Sequence, residues 1–393
     1  MARVEAELID VIIPIYKGLQ QTRRCVDSVL SNRQATDFEV VAVDDASPDR
    51  DLVIYLDDLA ATRRITLLRN ESNLGFVQSV NRGMALHADR DVVLLNSDTE
   101  VANDWLDRLR RSAVGKPDVG TVTPFSNNAT ICSYPFEGWT GGAPGTLGLA
   151  ALDRLFAATN AGRTVDLPTA VGFCMYIRRA CLDQVGLFDA RRFGRGYGEE
   201  NDFCMRAAGA GWRNVLAADV FVFHEGSVSF SDERGALTLR AGKTLADMYP
   251  DYFHKVREFI TRDPAGALRA AVDSARVALG ADELRQVLAE RIDERTLLKT
   301  RLTEAEQCAA EQEPLVAQLR EGLALAERLL AERDATILEL NEEISRLRSG
   351  LGHAEALAFE RARELEELHR SWIWKCRIFL MRVKSRGRPQ SPA

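Results

Sequence analysis

No run in this chain reaches the roughly 18 apolar residues that a membrane-spanning helix needs. No Cys-x-x-Cys pair occurs either. The seven cysteines (Cys25, Cys132, Cys174, Cys181, Cys204, Cys308 and Cys376) are scattered and odd in number, which argues against a disulfide framework or a zinc site and suits a reducing compartment. The opening Met-Ala-Arg-Val-Glu-Ala-Glu places acids where a signal peptide would carry a basic and then an apolar stretch, so the expectation is a cytoplasmic protein. An excess of cations is also missing: 51 Lys and Arg stand against 58 Asp and Glu, a net charge of -7, which excludes a general nucleic-acid binder as partner. The 393 residues exceed what one hydrophobic core usually organises, so a sizeable domain plus a second part is expected.

The apolar residues that are present fall in two patterns. Leu8 to Ile13, Phe38 to Val43, Ile65 to Leu68 and Val92 to Leu95 are short, branched and nearly continuous, as parallel strands buried on both faces are. Helical stretches separate them, for example Gly75 to His87 with Phe76, Val80 and Met84 four apart. Strand alternating with helix predicts an α/β, doubly wound, mostly parallel sheet. Val171 to Ile177 and Val220 to Phe223 should add strands, and the Gly-, Pro- and Asn-rich Pro124 to Gly148 reads as a loop of the kind that covers an active site. After about Pro264 the composition shifts to Ala, Leu, Glu and Arg. Val316, Leu323, Leu330, Ile337, Ile344, Leu351, Ala358, Leu365 and Trp372 recur every seventh residue, interleaved with Leu319, Ala326, Arg333, Leu340, Leu347 and Arg361, so two arginines sit within the seam. That 3,4 spacing predicts a coiled-coil seam and self-association, a hairpin within one chain being the alternative; Pro314 should kink or interrupt the helix. The expected division is 1–263 for the α/β domain, 264–370 for the helical region and 371–393 for a basic aromatic tail.

Acidic groups stand where strands should end, the place where open α/β sheets bind ligands. Asp44 and Asp45 follow one strand; a carboxylate there can accept from a pyrimidine imide or ribose hydroxyls, and helix capping near Pro48 accounts for the pair equally well. Upstream, the Pro14-Ile15-Tyr16 turn offers an aromatic ring to a base. Asn96 and Asp98 end another strand, two residues apart, a spacing that can reach one hard cation such as Mg2+ or Mn2+; a helix cap explains them too. Gly198-Glu199-Glu200-Asn201-Asp202 opens a helix, with Asp202 and Arg206 spaced for an ion pair. A glutamate at that glycine-framed start either favours the helix dipole or serves as a general base. His224 closes a late apolar strand and can complete a metal's coordination shell.

These residues together resemble the inverting family 2 glycosyltransferases of GT-A fold over roughly Leu8 to Tyr249, through Val11 to Tyr16, Val43 to Ser47, Asn73 to Phe76, Leu94 to Thr99 and Gly198 to Arg206. The resemblance implies nucleotide binding at Asp44 and Asp45, a metal element matching Asn96 and Asp98 in which Asp98 is the ligand and Asn96 is placed with the nucleotide-binding residues Pro14 and Tyr16, a catalytic base at Glu200 beside Glu199, and a metal-binding histidine at His224. Asn96 replaces the usual first acid, and Glu200 the usual aspartate. The Asn-Ser-Asp-Thr form is similar to that of bacterial rhamnosyl and galactofuranosyl transferases. It further implies a nucleotide-sugar donor, a divalent metal, and a glycan or lipid-linked glycan acceptor in cell-surface polysaccharide synthesis.

Two alternatives follow from the same residues. A non-catalytic coiled-coil assembly protein with a degenerate nucleotide-sugar domain would account for Asn96. A nucleotidyltransferase would want a Gly-rich, Arg-containing loop after the first strand, which Pro14 to Gly18 does not supply. The end of the chain, Trp372, Trp374 and Phe379 among Lys375, Arg377, Arg382, Arg386 and Arg388, resembles an interfacial anchor, so peripheral contact with the inner face of the cell membrane is expected; the capped end of a coiled coil is the plainer reading.

Overall fold

The computed structural model of the chain describes residues 8–226 and 234–386; the expectations drawn from the opening residues and from Arg388 lie outside them. Ten strands are present among the described residues: β1 (Ile9–Ile15), β2 (Phe38–Asp44), β3 (Thr66–Arg69), β4 (Val92–Leu95), β5 (Thr99–Glu100), β6 (Val119–Phe125), β7 (Thr164–Leu167), β8 (Cys174–Ile177), β9 (Arg213–Phe221) and β10 (Phe223–His224). Eight of them form one sheet in the order β3-β2-β1-β4-β8-β6-β9-β7, and β5 with β10 forms a separate two-stranded ribbon. Strands β3, β2, β1 and β4 run parallel, as do β6 and β9, while β8 and β7 are antiparallel to their neighbours. The alternating strand–helix pattern thus gives the expected doubly wound, mostly parallel sheet, and the two antiparallel strands come from the part of the sequence where that alternation breaks down.

Period-two alternation explains why both faces are covered. Val11, Ile13, Val40, Ala42, Val93 and Leu95 enter one core, and Ile12, Val41, Val43, Val92 and Leu94 enter the other. Each such buried side chain contributes about 1.5–3 kcal/mol. The first core is closed by α1 (Leu19–Ser31), α2 (Arg50–Ala61), α4 (Trp105–Val114) and α5 (Leu149–Thr159); the second by α3 (Phe76–Met84), α6 (Arg179–Val185), the short α7 (Ala190–Phe193) and α8 (Glu199–Gly209). Helices α9 (Arg234–Met248) and α10 (Tyr252–Arg262) add Leu245 and Tyr252 to the second core, while α11 (Gly266–Val277) returns Leu268 and Val272 to the first.

Helix α12 (Ala281–Arg386) ends the described chain. Its first turns, to Lys299, belong to the compact unit, and Thr300 onward forms a second unit. It runs as one helix through Pro314, so of the kink or interruption expected there the interruption does not occur. A proline removes one backbone hydrogen bond, and long flanking stretches of good helix formers carry the helix past it. The seam residues are exposed throughout, Leu340 at 58 % and Leu347 at 64 %. No helix among the described residues is long and apolar enough to cross a membrane. All seven cysteines are free thiols, five of them buried.

Candidate active site

Register places the first two candidates. Ile15 of β1 lies opposite Asp44 of β2, so Asp44, Asp45 and Tyr16 stand together at the carboxyl edge of the sheet. Strand β1 continues through Pro14 to Ile15, so the turn begins at Tyr16, two residues later than the proline suggested. The Lys17 ammonium lies 5.1 Å from the centre of the half-buried Tyr16 ring. The Asp44 carboxylate accepts from the Ser47 N–H (2.9 Å) and pairs with Arg69 (3.1 Å). Asp45 accepts from the Leu74 N–H (2.7 Å), the Gly75 N–H (2.8 Å) and Asn70 Nδ2 (2.8 Å). Those bonds make Asp45 the anchor of the Asn73-Leu74-Gly75-Phe76 segment. Glycine is required within it: φ at Gly75 is +87°, and a Cβ there would lie 2.8 Å from the Arg195 Cα. The segment thereby docks the Gly194–Gly198 loop that leads into α8, with the Phe76 N–H donating to the Arg195 carbonyl at 3.1 Å.

The β5–β10 ribbon joins the metal candidates, pairing His224 with Thr99 immediately beside Asp98. His224 Nε2 lies 3.4 Å from Asp98 Oδ1, and Asp98 Oδ2 accepts from the Gly226 N–H. His224 Nδ1 lies 2.8 Å from the Asn128 carbonyl, its ring stacks on Phe173 at 5.2 Å, and Asn127 bonds both its backbone N–H and its carbonyl. A carbonyl can only accept, so Nδ1 carries a proton and Nε2 is the nitrogen that faces the carboxylate. An imidazole nitrogen and a carboxylate oxygen converging on one point are a donor set that a divalent cation can take. Asn127, Asn128 and Phe173 were not singled out from sequence; the polar pair directly after the apolar end of β6 was the signal available.

Glu199 and Glu200 open α8 behind Gly198, which adopts the left-handed conformation. Asn201 Nδ2 bonds Thr169 Oγ1 (2.8 Å), and Asp202 takes the expected Arg206 (2.8 Å) together with the Tyr249 hydroxyl (2.7 Å), so the helix start is held from three sides. Glu199 Oε2 and Glu200 Oε2 are both buried without a hydrogen-bond partner. Burial, then the neighbouring Glu200 charge, pushes the Glu199 carboxyl well above the usual range. Burial also raises Glu200, against the pull of the backbone N–H groups of Glu200, Gly198 and Asn201. Those N–H groups favour the ionised form of Glu200, and the two neighbouring carboxyls titrate as a pair, both raised by burial.

A cavity of about 610 Å³ is lined by Asn96, Glu199, Glu200 and His224, four of the residues that the sequence singled out, and by Phe76. Asp98 adjoins it through His224. Pro14, Tyr16, Asp44 and Asp45 are not in its wall. Elsewhere, Asp10, Glu39 and His87 lie close enough to share an ion, but at the amino end of β1, and Arg90 Nη1 already bridges both carboxylates at 2.9 and 2.6 Å. That group is an ion-paired cluster at the opposite end of β1 from the cavity.

Residues 10–186, a little under half of the chain, match the family described as glycosyl transferase family 2. An uncharacterized protein of Sinorhizobium fredii, y4gI, is 26% identical over 238 residues, 58% of this chain and 25% of that protein. An N-acetylglucosaminyltransferase of a Rhizobium species is 26% identical over 224 residues, 54% of this chain and 47% of that protein. The chain therefore spans a quarter to about a half of the length of these curated relatives. Among solved structures, GalNAc-T7 with UDP, GalNAc and Mn2+ covers 69% of this chain and 55% of its own at 19% identity, with a TM-score of 0.48.

Proposed function

We propose that the protein is an inverting glycosyltransferase that moves a sugar from a nucleotide-diphosphate donor to a hydroxyl of a glycan, in cytoplasmic synthesis of surface polysaccharide. One observation supports this reading: a single cavity joins Glu200, whose Oε2 is buried without a hydrogen-bond partner, to Asn96 and to the His224–Asp98 pair. Glu200 accepts the proton of the acceptor hydroxyl, whose oxygen bonds to the anomeric carbon from the face opposite the departing diphosphate, so the centre inverts. Burial and the Glu200 charge both raise the Glu199 carboxyl, which disfavours a second negative charge beside the base. Tyr16 and Asp44, at the carboxyl edge of β1 and β2, are assigned to the nucleotide, and Asp45 to the segment that positions α8.

Asp98 and His224 would hold a divalent ion, and an oxygen plus an imidazole nitrogen suits Mg2+ or Mn2+. Such an ion, when bound, supplies charge neutralisation for a diphosphate leaving group. Purified protein screened against UDP-, dTDP- and GDP-sugars, reading released nucleotide, should hydrolyse one donor with Mn2+ present and lose that activity with EDTA or in Asp98→Asn. Absence of hydrolysis from every donor at any metal concentration would leave a non-catalytic binding domain.

The exposed seam of α12 is assigned to a parallel coiled coil with a second copy. Light scattering should report an oligomer for the full chain and a monomer for Leu340→Lys/Leu347→Lys; a monomeric wild type would reject the assignment. Trp372, Trp374 and Phe379, all exposed on the same helix, are assigned to a peripheral membrane contact.

A further inference from the structure

Strand β10 is two residues long and pairs with the equally short β5. A ladder of that length fixes little by itself. The other edge of β10 is closed by a side chain. Asn127, buried two residues past the end of β6, accepts the His224 N–H on Oδ1 (2.8 Å) and donates Nδ2 to the His224 carbonyl (2.9 Å) and to the Gly141 carbonyl (2.8 Å). One amide paired with both backbone groups of one residue does for β10 what a third strand would do. Its orientation follows from its partners, since two carbonyls face one end and an N–H the other. The next residue completes the grip: the Asn128 carbonyl accepts from His224 Nδ1 at 2.8 Å, which sets the ring rotation and leaves Nε2 3.4 Å from Asp98 Oδ1. Two consecutive residues thus hold one histidine at its N–H, its carbonyl and its ring. Asn127 itself is not in the cavity wall, so any effect it has there passes through the residues it holds.

We infer that Asn127 is a positioning residue: its side-chain amide sets the His224 imidazole against the Asp98 carboxylate, and the affinity of that pair for a divalent cation depends on it. This rests on reading Asp98 and His224 as the cation site. A small hard cation binds well only where its donors already converge, at about 2.0–2.1 Å for Mg2+, so a displacement of β10 by about 1 Å is enough to spoil the set. Removing Asn127 frees both backbone groups of His224 at once, and β10 then has only the two-residue ladder to β5 to hold its place. Groups that orient a metal-bound histidine from outside the coordination shell typically contribute about 10–100-fold in metal affinity.

The test is a Mn2+ titration of the full chain without donor, free Mn2+ being read by electron paramagnetic resonance, with a melting temperature for each variant. Asn127→Leu keeps roughly the volume of the side chain and removes all three bonds; where it does not fold, Asn127→Ala is read by the same thresholds. His224→Ala removes the ligand itself. Asn127→Leu should weaken Mn2+ binding about ten-fold or more, and under about three-fold further once His224 is already alanine. That loss of additivity marks a residue acting through the histidine, whereas a residue that only supports the fold lowers affinity alike in both backgrounds. Wild-type affinity in Asn127→Leu, or the same ten-fold loss in both backgrounds, would overturn the inference. So would unfolding of both Asn127 variants, which would make the asparagine a support of the whole domain. The underlying reading fails separately: if the wild type takes up no Mn2+, or His224→Ala binds it as well as wild type, the cation site is wrong and the inference goes with it, while a loss in His224→Ala without one in Asn127→Leu removes the Asn127 assignment alone.

Discussion

Glu200→Gln is expected to lower kcat by about 10²–10⁴-fold while leaving donor affinity within a few-fold of wild type. The amide keeps the shape of the carboxyl and the N-terminal position on α8, but it cannot take a proton, so a loss confined to kcat identifies a base and not a binding contact. The pH profile gives an independent check. Only ionised Glu200 can act, and burial raises its carboxyl above the ordinary glutamate range. Wild-type kcat/KM should therefore fall as pH drops through a group titrating above about 4.3, the free glutamate value. In Glu200→Gln the residual rate should lose that limb. Stability should move the other way. A carboxyl whose folded pKa is raised favours folding below its unfolded pKa, and that contribution disappears as pH rises through the folded value. Near neutrality the paired glutamates are thus a burden on the fold, and Glu199→Gln, which removes one of the two raised carboxyls, should raise the melting temperature at pH 7 and leave it nearly unchanged at pH 4. A melting temperature at pH 7 equal to or below wild type would show that the burial of the pair is not costly. A full-rate Glu200→Gln enzyme would remove the base assignment.

How far the chain could be read in advance depended on whether a feature is local. The parallel strands were legible because burial on both faces writes a continuous branched run into the sequence, and β1, β2 and β4 lie within two residues of those runs. Asp98 and His224 were legible as candidates because each ends a strand, but their meeting depends on the β5–β10 ribbon, two residues per strand, too short to leave a periodic signal. Asp45 illustrates the converse. Its position after β2 was plain, yet its bonds to Leu74, Gly75 and Asn70 lie 25 to 30 residues away and could not be inferred from spacing. The composition change near Pro264 marks the start of α11 at Gly266, but composition says nothing about packing, and α11 lies against α5 with Leu268 and Val272 in the first core. Least legible was the ion cluster that fastens α11 and the start of α12 to the loop beside the cavity. In sequence it reads as ordinary helix charge.

That cluster carries the last large effect. Arg276 is fully buried; its Nε donates to Glu283 (2.7 Å), Nη1 and Nη2 hold Glu290 at 2.7 and 2.8 Å, and Nη1 also reaches the Tyr134 hydroxyl (3.0 Å). Glu283 accepts from the Thr146 N–H and hydroxyl, Tyr134 donates to Asp273 (2.7 Å), and Arg269 donates to the carbonyls of Ser133 and Ile131. The 126–148 loop, which supplies Asn128, Ile131 and Glu137 to the cavity, is thus tied down by one buried guanidinium and its partners. Arg276→Met leaves two glutamates buried without a counter-charge and should cost about 3–5 kcal/mol, on the order of 10 °C in melting temperature. Arg276→Lys should recover little, since an ammonium cannot reproduce four directed bonds from one plane. The triple change Arg276→Met/Glu283→Gln/Glu290→Leu should recover most of the loss, because no unpaired charge then remains. Acid sensitivity provides the second readout. Burial alone would raise Glu283, but Thr146 and Arg276 bring it below the usual range, so its contribution is present above the unfolded pKa of about 4.3 and is lost as pH falls through the lower folded value. The triple variant should lack that acid-side loss. If Arg276→Met melts within about 2 °C of wild type, the cluster is incidental to the fold, and the loop must be held in place by its apolar contacts, chiefly the Tyr134 ring packed at 5.0 Å against Phe156.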